Sequence, residues 1–174
     1  MFSSQSDVID QLKELDTGLP DGLFAELVVL GGAAMFFYNI EYRTTMDIDV
    51  AFFSGQRAAR LIMEKGEQLG ISAQAHGVAF LGDGWENRVE WAADSFTHLR
   101  VGVLDPYDWV LSKLARWRGH DEDDVRAVLP RLDSKELFSR LRDSLPDYIG
   151  RERDLQVTWN ILAEDMGYKE KFAL

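Results

Sequence analysis

The chain has 174 residues, 46% of them hydrophobic and 28% charged. That is the composition of a globular chain with an apolar core, and it excludes disorder, collagen and low complexity. The formal net charge of −11 argues against a protein that coats nucleic acid through its phosphates, and the absence of cysteine excludes disulfides, thiolate metal sites and a cysteine nucleophile.

The opening Met-Phe-Ser-Ser-Gln-Ser-Asp has neither a basic nor an apolar leader character. No apolar run approaches membrane-spanning length. A cytoplasmic location with no membrane partner is the resulting expectation. Val8, Ile9, Leu12 and Leu15 predict a helix to about Leu15, capped by Ser6 or Asp7. Gly18 to Gly22 reads as a turn. Leu27–Leu30 reads as a buried strand that ends at Gly31-Gly32, and Ala33 to about Tyr38 as a helix directly after it. Asp47–Phe53 alternates as a second strand. Ser54 is placed to cap a helix from about Gly55 to Leu69, which Gly70 ends. Three weaker strand assignments follow, at Ser72–His76 with Ala79–Leu81, at Arg88–Ala92 and at His98–Leu104. After Asp105-Pro106 the strand-like runs stop. Tyr107–Trp117, Glu122–Leu129, Ser134–Leu145 and about Arg151–Gly167 read as helices. The expected organisation is therefore a sheet domain over 1–104 and a helical part over 105–174.

Asp47 and Asp49 lie two apart on the expected strand, so they point to one face. Asp is a poor strand former and like charges on one face repel. A divalent cation relieves both costs, and hard oxygen ligands suit Mg²⁺ or Mn²⁺. An edge strand with a solvated polar face is the other reading of the pair. Its neighbours favour the cation: Gly31-Gly32 brings backbone N–H groups close to an anion, and Arg43-Thr44-Thr45 adds a guanidinium and two hydroxyls. Charge is uneven along the chain. Residues 1–111 hold 7 basic and 17 acidic side chains, against 5 and 4 over 112–131. That less acidic stretch reads either as a solvated helix face or as a local anion site.

Gly31-Gly32 after an apolar strand, followed by Arg43-Thr44-Thr45-Met46-Asp47-Ile48-Asp49-Val50, resembles the signature of the DNA polymerase β-type nucleotidyltransferase superfamily. The Arg-Thr-Thr-x-Asp-Ile-Asp form is similar to that of a bacterial branch of small nucleotidyltransferase-like domains related to AbiE-type abortive-infection toxins. Gly84-Trp85-Glu86-Asn87-Arg88 resembles a second element of that branch. Asp105 to Arg116 is similar to its helix in which a lysine faces the nucleotide, and His120 to Val125 to a further acidic element. The resemblance spans about Leu27 to Leu129. It departs at Ala33-Ala34, where many relatives carry serine, which implies weaker phosphate binding.

The resemblance implies an α+β fold, a nucleotidyltransferase-type mixed sheet flanked by helices and followed by a C-terminal helical part. It implies Mg²⁺ or Mn²⁺ as cofactor and a nucleoside triphosphate as substrate, with Asp47, Asp49 and a third carboxylate as metal ligands. Glu90 is the candidate for that third ligand and Asp94 the fallback; a solvent-facing Glu90 is the alternative. Gly31, Gly32, Arg43, Thr44 and Thr45 would hold phosphates. Lys113 would reach the triphosphate or base. Asp121 and Asp124 share a helix face and would orient Lys113 or an arginine, or else complement the helix dipole. The implied reaction is nucleotide transfer to a hydroxyl on a small RNA end, a protein or a small molecule, with no extended nucleic-acid surface. The competing reading is a non-catalytic nucleotide-binding module, or a toxin–antitoxin partner with a degenerate fold. A homodimer or a cognate partner protein belongs with either.

Overall fold

A computed structural model describes residues 1–74 and 80–174. It contains two compact units. The first comprises the described part of Met1–Val78 with Glu86–Asp105, and the second the described part of Ala79–Trp85 with Pro106–Leu174.

The first unit opens with α1, Gln5–Thr17. Its cap is Ser4 rather than Ser6 or Asp7: the Ser4 hydroxyl accepts from the Asp7 amide, and the Asp7 carboxylate accepts from the Ser4 amide in return. Val8, Ile9, Leu12 and Leu15 are buried on one face. The strands are β1 (Ala25–Val29), β2 (Ile48–Ser54), β3 (Ile71–Gln74), β4 (Glu90–Trp91) and β5 (Leu99–Val103). They form one mixed sheet in the order β3-β2-β1-β5-β4. β1 runs antiparallel to β2 and parallel to β5, β2 runs parallel to β3, and β4 runs antiparallel to β5. One face is apolar and buried, with Leu27, Val29, Ile48, Val50, Leu99 and Val101 in its rows.

Two short helices connect these strands. α2 is a single turn, Ala34–Phe37, shorter than the span to Tyr38 that the sequence suggests. α3, Ala59–Gln68, begins after a 3₁₀ turn at Gln56–Ala58. Ser54 does not cap it. Ser54 stays in β2, and its hydroxyl donates to Glu26 at 2.8 Å. Gly70 ends this segment with φ +70°. The strand expected at Ser72–His76 is β3, and residues 75 and 76 lie outside the described residues. Of the expected Ala79–Leu81 strand, residue 79 lies outside them, and Phe80 and Leu81 are irregular. The Arg88–Ala92 assignment shrinks to the two residues of β4, because Trp85–Arg88 forms a 3₁₀ turn.

The second unit holds α4 (Pro106–Arg116), α5 (Asp121–Val128), α6 (Ser134–Ser144) and α7 (Glu152–Met166). α4 packs against the other three and buries Trp109, Val110, Leu111 and Leu114. Gly167, at φ +72°, ends α7. The tail then folds back. Asn160 donates to the Phe172 carbonyl and accepts from the Phe172 amide, and Trp159 donates to the Glu170 carbonyl. Among the described residues no helix is long and apolar enough to cross a membrane.

Candidate functional site

The site begins where β1 ends. The Leu30 amide donates to the Asp49 carbonyl at 2.8 Å, one step beyond the Val29–Val50 pair. The chain then turns through Gly31, whose φ of +55° favours glycine. A Cβ on Gly31 would overlap the Asp49 carboxylate and lie 2.9 Å from its Cγ. Gly31 is thus demanded twice, by backbone conformation and by the close approach of Asp49. At Gly32 a Cβ would lie 3.1 Å from Arg43 Nη2 and 3.2 Å from Thr45 Oγ1. The missing side chains of the glycine pair make room for a carboxylate, a guanidinium and a hydroxyl.

The segment that carries these groups is tied down on its far side. Phe2 and Thr45 form an isolated antiparallel bridge, with amide-to-carbonyl bonds of 2.8 and 3.0 Å. The Thr45 hydroxyl donates to the Asp47 carbonyl at 3.2 Å and lies 3.5 Å from Asp47 Oδ1. Arg43 Nη1 donates to the carbonyl of Thr44, whose side chain is exposed. Asp47 is exposed and just precedes β2, whereas Asp49 is half-buried within it. The expected pairing of the two on one strand is therefore half right, since only Asp49 sits in the ladder.

Gly31, Gly32, Arg43, Thr45, Asp47 and Asp49 accordingly lie in one place, with Thr44 at its rim. Carboxylate oxygens are the ligands that Mg²⁺ or Mn²⁺ takes. A guanidinium and a hydroxyl beside a bare glycine backbone suit phosphate oxygens. The chemistry of this donor set fits a metal–nucleoside triphosphate complex, and the glycine pair is what lets Asp49, Arg43 and Thr45 approach the turn so closely.

Glu90 is not part of this group. The register runs Val50–Val29–Val103–Glu90 across β2, β1, β5 and β4. Glu90 therefore shares the face of Val50, and Asp49 takes the opposite one. Three strand spacings, roughly 14 Å, separate Glu90 from Val50 along the sheet. Glu90, the expected third carboxylate, stands apart from Asp47 and Asp49 because β4 is an edge strand whose register the sequence does not reveal. Asp94, the fallback, is ion-paired with Lys13 of α1 at 3.2 Å. Among the described residues no group of three or more His, Cys, Asp or Glu side chains is arranged to hold a metal ion.

Lys113, Asp121 and Asp124 meet within the second unit. Lys113 Nζ donates to Asp121 Oδ1 at 2.8 Å and to Asp124 Oδ2 at 2.9 Å. All three are buried, and the ammonium lies 5.1 Å from the centre of the Trp109 ring. Asp121 also accepts from Arg116 Nε and Nη2, at 2.9 and 2.6 Å, and from the Arg118 amide at 2.8 Å. Burial pushes the Asp121 carboxyl up, but hydrogen bonds from Arg116, Lys113 and the Arg118 amide outweigh it and hold the pKa below the usual 3.8. The spacing of Asp121 and Asp124 correctly suggests that they face a cation together. The structure gives them Lys113, with Arg116 on Asp121 as well.

Sequence reasoning passes over one position. Ser72 of β3 pairs with Asp49 in the parallel register, on the same sheet face. Nothing in the local sequence marks it, because the register of a parallel pair is set by the whole crossover through α3.

A search of curated proteins finds no match. A family model described as "Nucleotidyltransferase of unknown function (DUF6036)" matches residues 6–164. That span includes every residue of the glycine–aspartate cluster, α4, α5 and α6, and all but the last two residues of α7. The chain belongs to this nucleotidyltransferase family.

Proposed function

We propose that the chain is a Mg²⁺-dependent nucleotidyltransferase that moves a nucleotide from a nucleoside triphosphate to a hydroxyl acceptor. One observation carries the reading: Asp49 packs on Gly31 while Arg43 and Thr45 converge on Gly32, with Asp47 beside them. Asp47 and Asp49 would hold the cation, which when bound supplies charge neutralisation of the phosphates and of the attacking oxygen. Arg43, Thr45 and the glycine turn hold the triphosphate tail by charge and by hydrogen bonds. The acceptor hydroxyl attacks the α-phosphorus and gives its proton to solvent, the bond from the α-phosphorus to the bridging oxygen breaks, and pyrophosphate leaves. Lys113, Asp121 and Asp124 enter as a buried ion-paired group that fixes α4 to α5.

A second reading has its own support. Glu90 lies on the other sheet face, and among the described residues no third carboxylate joins Asp47 and Asp49. A site of that kind also suits a domain that binds a nucleotide without transferring it, as a sensor or as half of a toxin–antitoxin pair. The likeness of Arg43–Asp49 to the AbiE-type branch is compatible with that setting.

Label transfer separates the two. The protein is incubated with Mg²⁺, each α-phosphate-labelled nucleoside triphosphate, and pools of RNA, protein or small molecules in turn. The proposal expects label in one pool with the wild type and none with Asp47→Asn/Asp49→Asn. Triphosphate binding without transfer in any pool supports the second reading.

A further inference from the structure

Phe2 reaches the site segment on both sides of Asp47. Its amide donates to the Thr45 carbonyl at 2.8 Å, and the Thr45 amide donates to the Phe2 carbonyl at 3.0 Å. Its ring is buried and lies against Gly70, where an added Cβ would stand 3.7 Å from ring atoms Cε2 and Cζ. The Gly70 carbonyl in turn accepts from the Ile48 amide at 2.9 Å. Asp47 is therefore bracketed by two residues that Phe2 helps to fix, Thr45 directly and Ile48 through Gly70. The Thr45 hydroxyl completes the link by donating to the Asp47 carbonyl at 3.2 Å.

The arm that carries Phe2 is itself anchored. The Ser3 amide and hydroxyl each donate to Asp7 Oδ2 at 2.8 Å, and the Ser4 amide donates to the same oxygen at 3.1 Å. The carboxylate that caps α1 thus sets the course of the chain at Phe2. On the other side, residues 40–47 are irregular apart from the bridge at Thr45. An irregular segment that must become ordered when a ligand arrives weakens binding by the entropy it loses, whereas a segment already held does not. The family match begins at residue 6, beyond this arm.

We propose that Phe2 is a positioning residue for the metal–triphosphate site: docked on Thr45 and Gly70, it holds Thr45 and Asp47 in the arrangement that binds, and release of the arm weakens nucleotide binding while the sheet stays folded. This rests on the metal–nucleotide reading above and adds to it the arm that keeps the site in order.

The test compares the wild type, Phe2→Asn, Phe2→Leu and Ile9→Ala. Binding of each nucleoside triphosphate with Mg²⁺ is read by calorimetry, local opening by hydrogen exchange at the Thr45 amide, and folding by denaturant titration. Phe2→Asn removes the buried ring, Phe2→Leu refills its place, and Ile9→Ala thins the buried face of α1 while leaving residues 1–4 as they are. In Phe2→Asn the Thr45 amide is expected to exchange about tenfold faster and the affinity for the Mg²⁺–triphosphate complex to fall about tenfold, with exchange in β1 unchanged. Phe2→Leu should restore both. Ile9→Ala should lower the denaturant midpoint and bind as the wild type does. A Phe2→Asn protein whose Thr45 amide opens but whose affinity is unchanged overturns the proposal and leaves the metal–nucleotide site standing. Unchanged exchange at Thr45 overturns it too, as does an equal loss of affinity in Ile9→Ala, which would mark a general weakening of the fold. A Phe2→Asn chain that does not fold also overturns it, because the sheet is expected to stand without the docked arm. A wild type that binds no triphosphate with Mg²⁺ refutes the metal–nucleotide reading, and this inference with it.

Discussion

A methyl group at residue 31 would occupy the space that the Asp49 carboxylate fills, on a backbone already in the left-handed region. Gly31→Ala should therefore cost about 1–3 kcal/mol in folding. It should also abolish triphosphate-dependent stabilisation, as Asp49 is driven from its place. Gly22→Ala is the control: its φ is +80° and no atom lies within 4 Å of the added methyl. It should show the folding cost alone. Chemical denaturation with and without Mg²⁺ and triphosphate reads both effects. At this scale the sequence was informative where local chemistry is decisive. Two adjacent glycines after an apolar strand and an Asp-x-Asp have few explanations, and Gly31, Gly32, Arg43, Thr45, Asp47 and Asp49 do gather. Glu90 and Ser72 were beyond reach because their meaning depends on strand register. A shift of one residue moves a side chain to the opposite face.

Helices and strands in this protein are fastened to one another by buried carboxylates. Asp16 at the end of α1 accepts from the amides of Thr97, His98 and Leu99, each at 2.8 Å, and so anchors the start of β5. Lys113 of α4 between Asp121 and Asp124 of α5 is the counterpart in the second unit. Removing this buried cation takes the Lys113 ammonium from both carboxylates, while Asp121 keeps Arg116 and the Arg118 amide. Lys113→Met should therefore lower unfolding free energy by about 3–5 kcal/mol in a denaturant titration. The same network sets an acid limit. The Asp121 pKa is lower folded than unfolded, so its contribution is present above the unfolded value of about 3.9 and is lost as pH falls through the folded one. Stability followed by denaturant midpoint should fall below about pH 4 in the wild type, and less steeply in Asp121→Asn. The helix positions themselves were legible, because α4 to α7 carry apolar faces at helical spacing. The brevity of α2 and β4 was not, since neighbouring turns rather than side-chain pattern end them.

Across the whole molecule, the family match covers residues 6–164 and takes in the sheet, the glycine–aspartate cluster and the helical unit up to residue 164. The net charge of −11 argues against a surface that takes a long polyanion along its length. The change from strands to helices at Asp105-Pro106 was visible as a change of texture. The strand order β3-β2-β1-β5-β4 was not, because pairings across distant segments leave no mark in either one. The central claim is that Asp47, Asp49 and the Gly31-Gly32 turn form a metal–triphosphate site. Its most direct test is thermal unfolding of the wild type and Asp47→Asn/Asp49→Asn, with Mg²⁺, with each nucleoside triphosphate, and with both. A ligand at a hundred times its dissociation constant adds about 2.7 kcal/mol, or roughly 5–10 °C for a chain of this size. The account predicts that shift for the wild type with Mg²⁺ and a triphosphate together, and none for the double variant. Equal shifts in both proteins, or none in either, would contradict it.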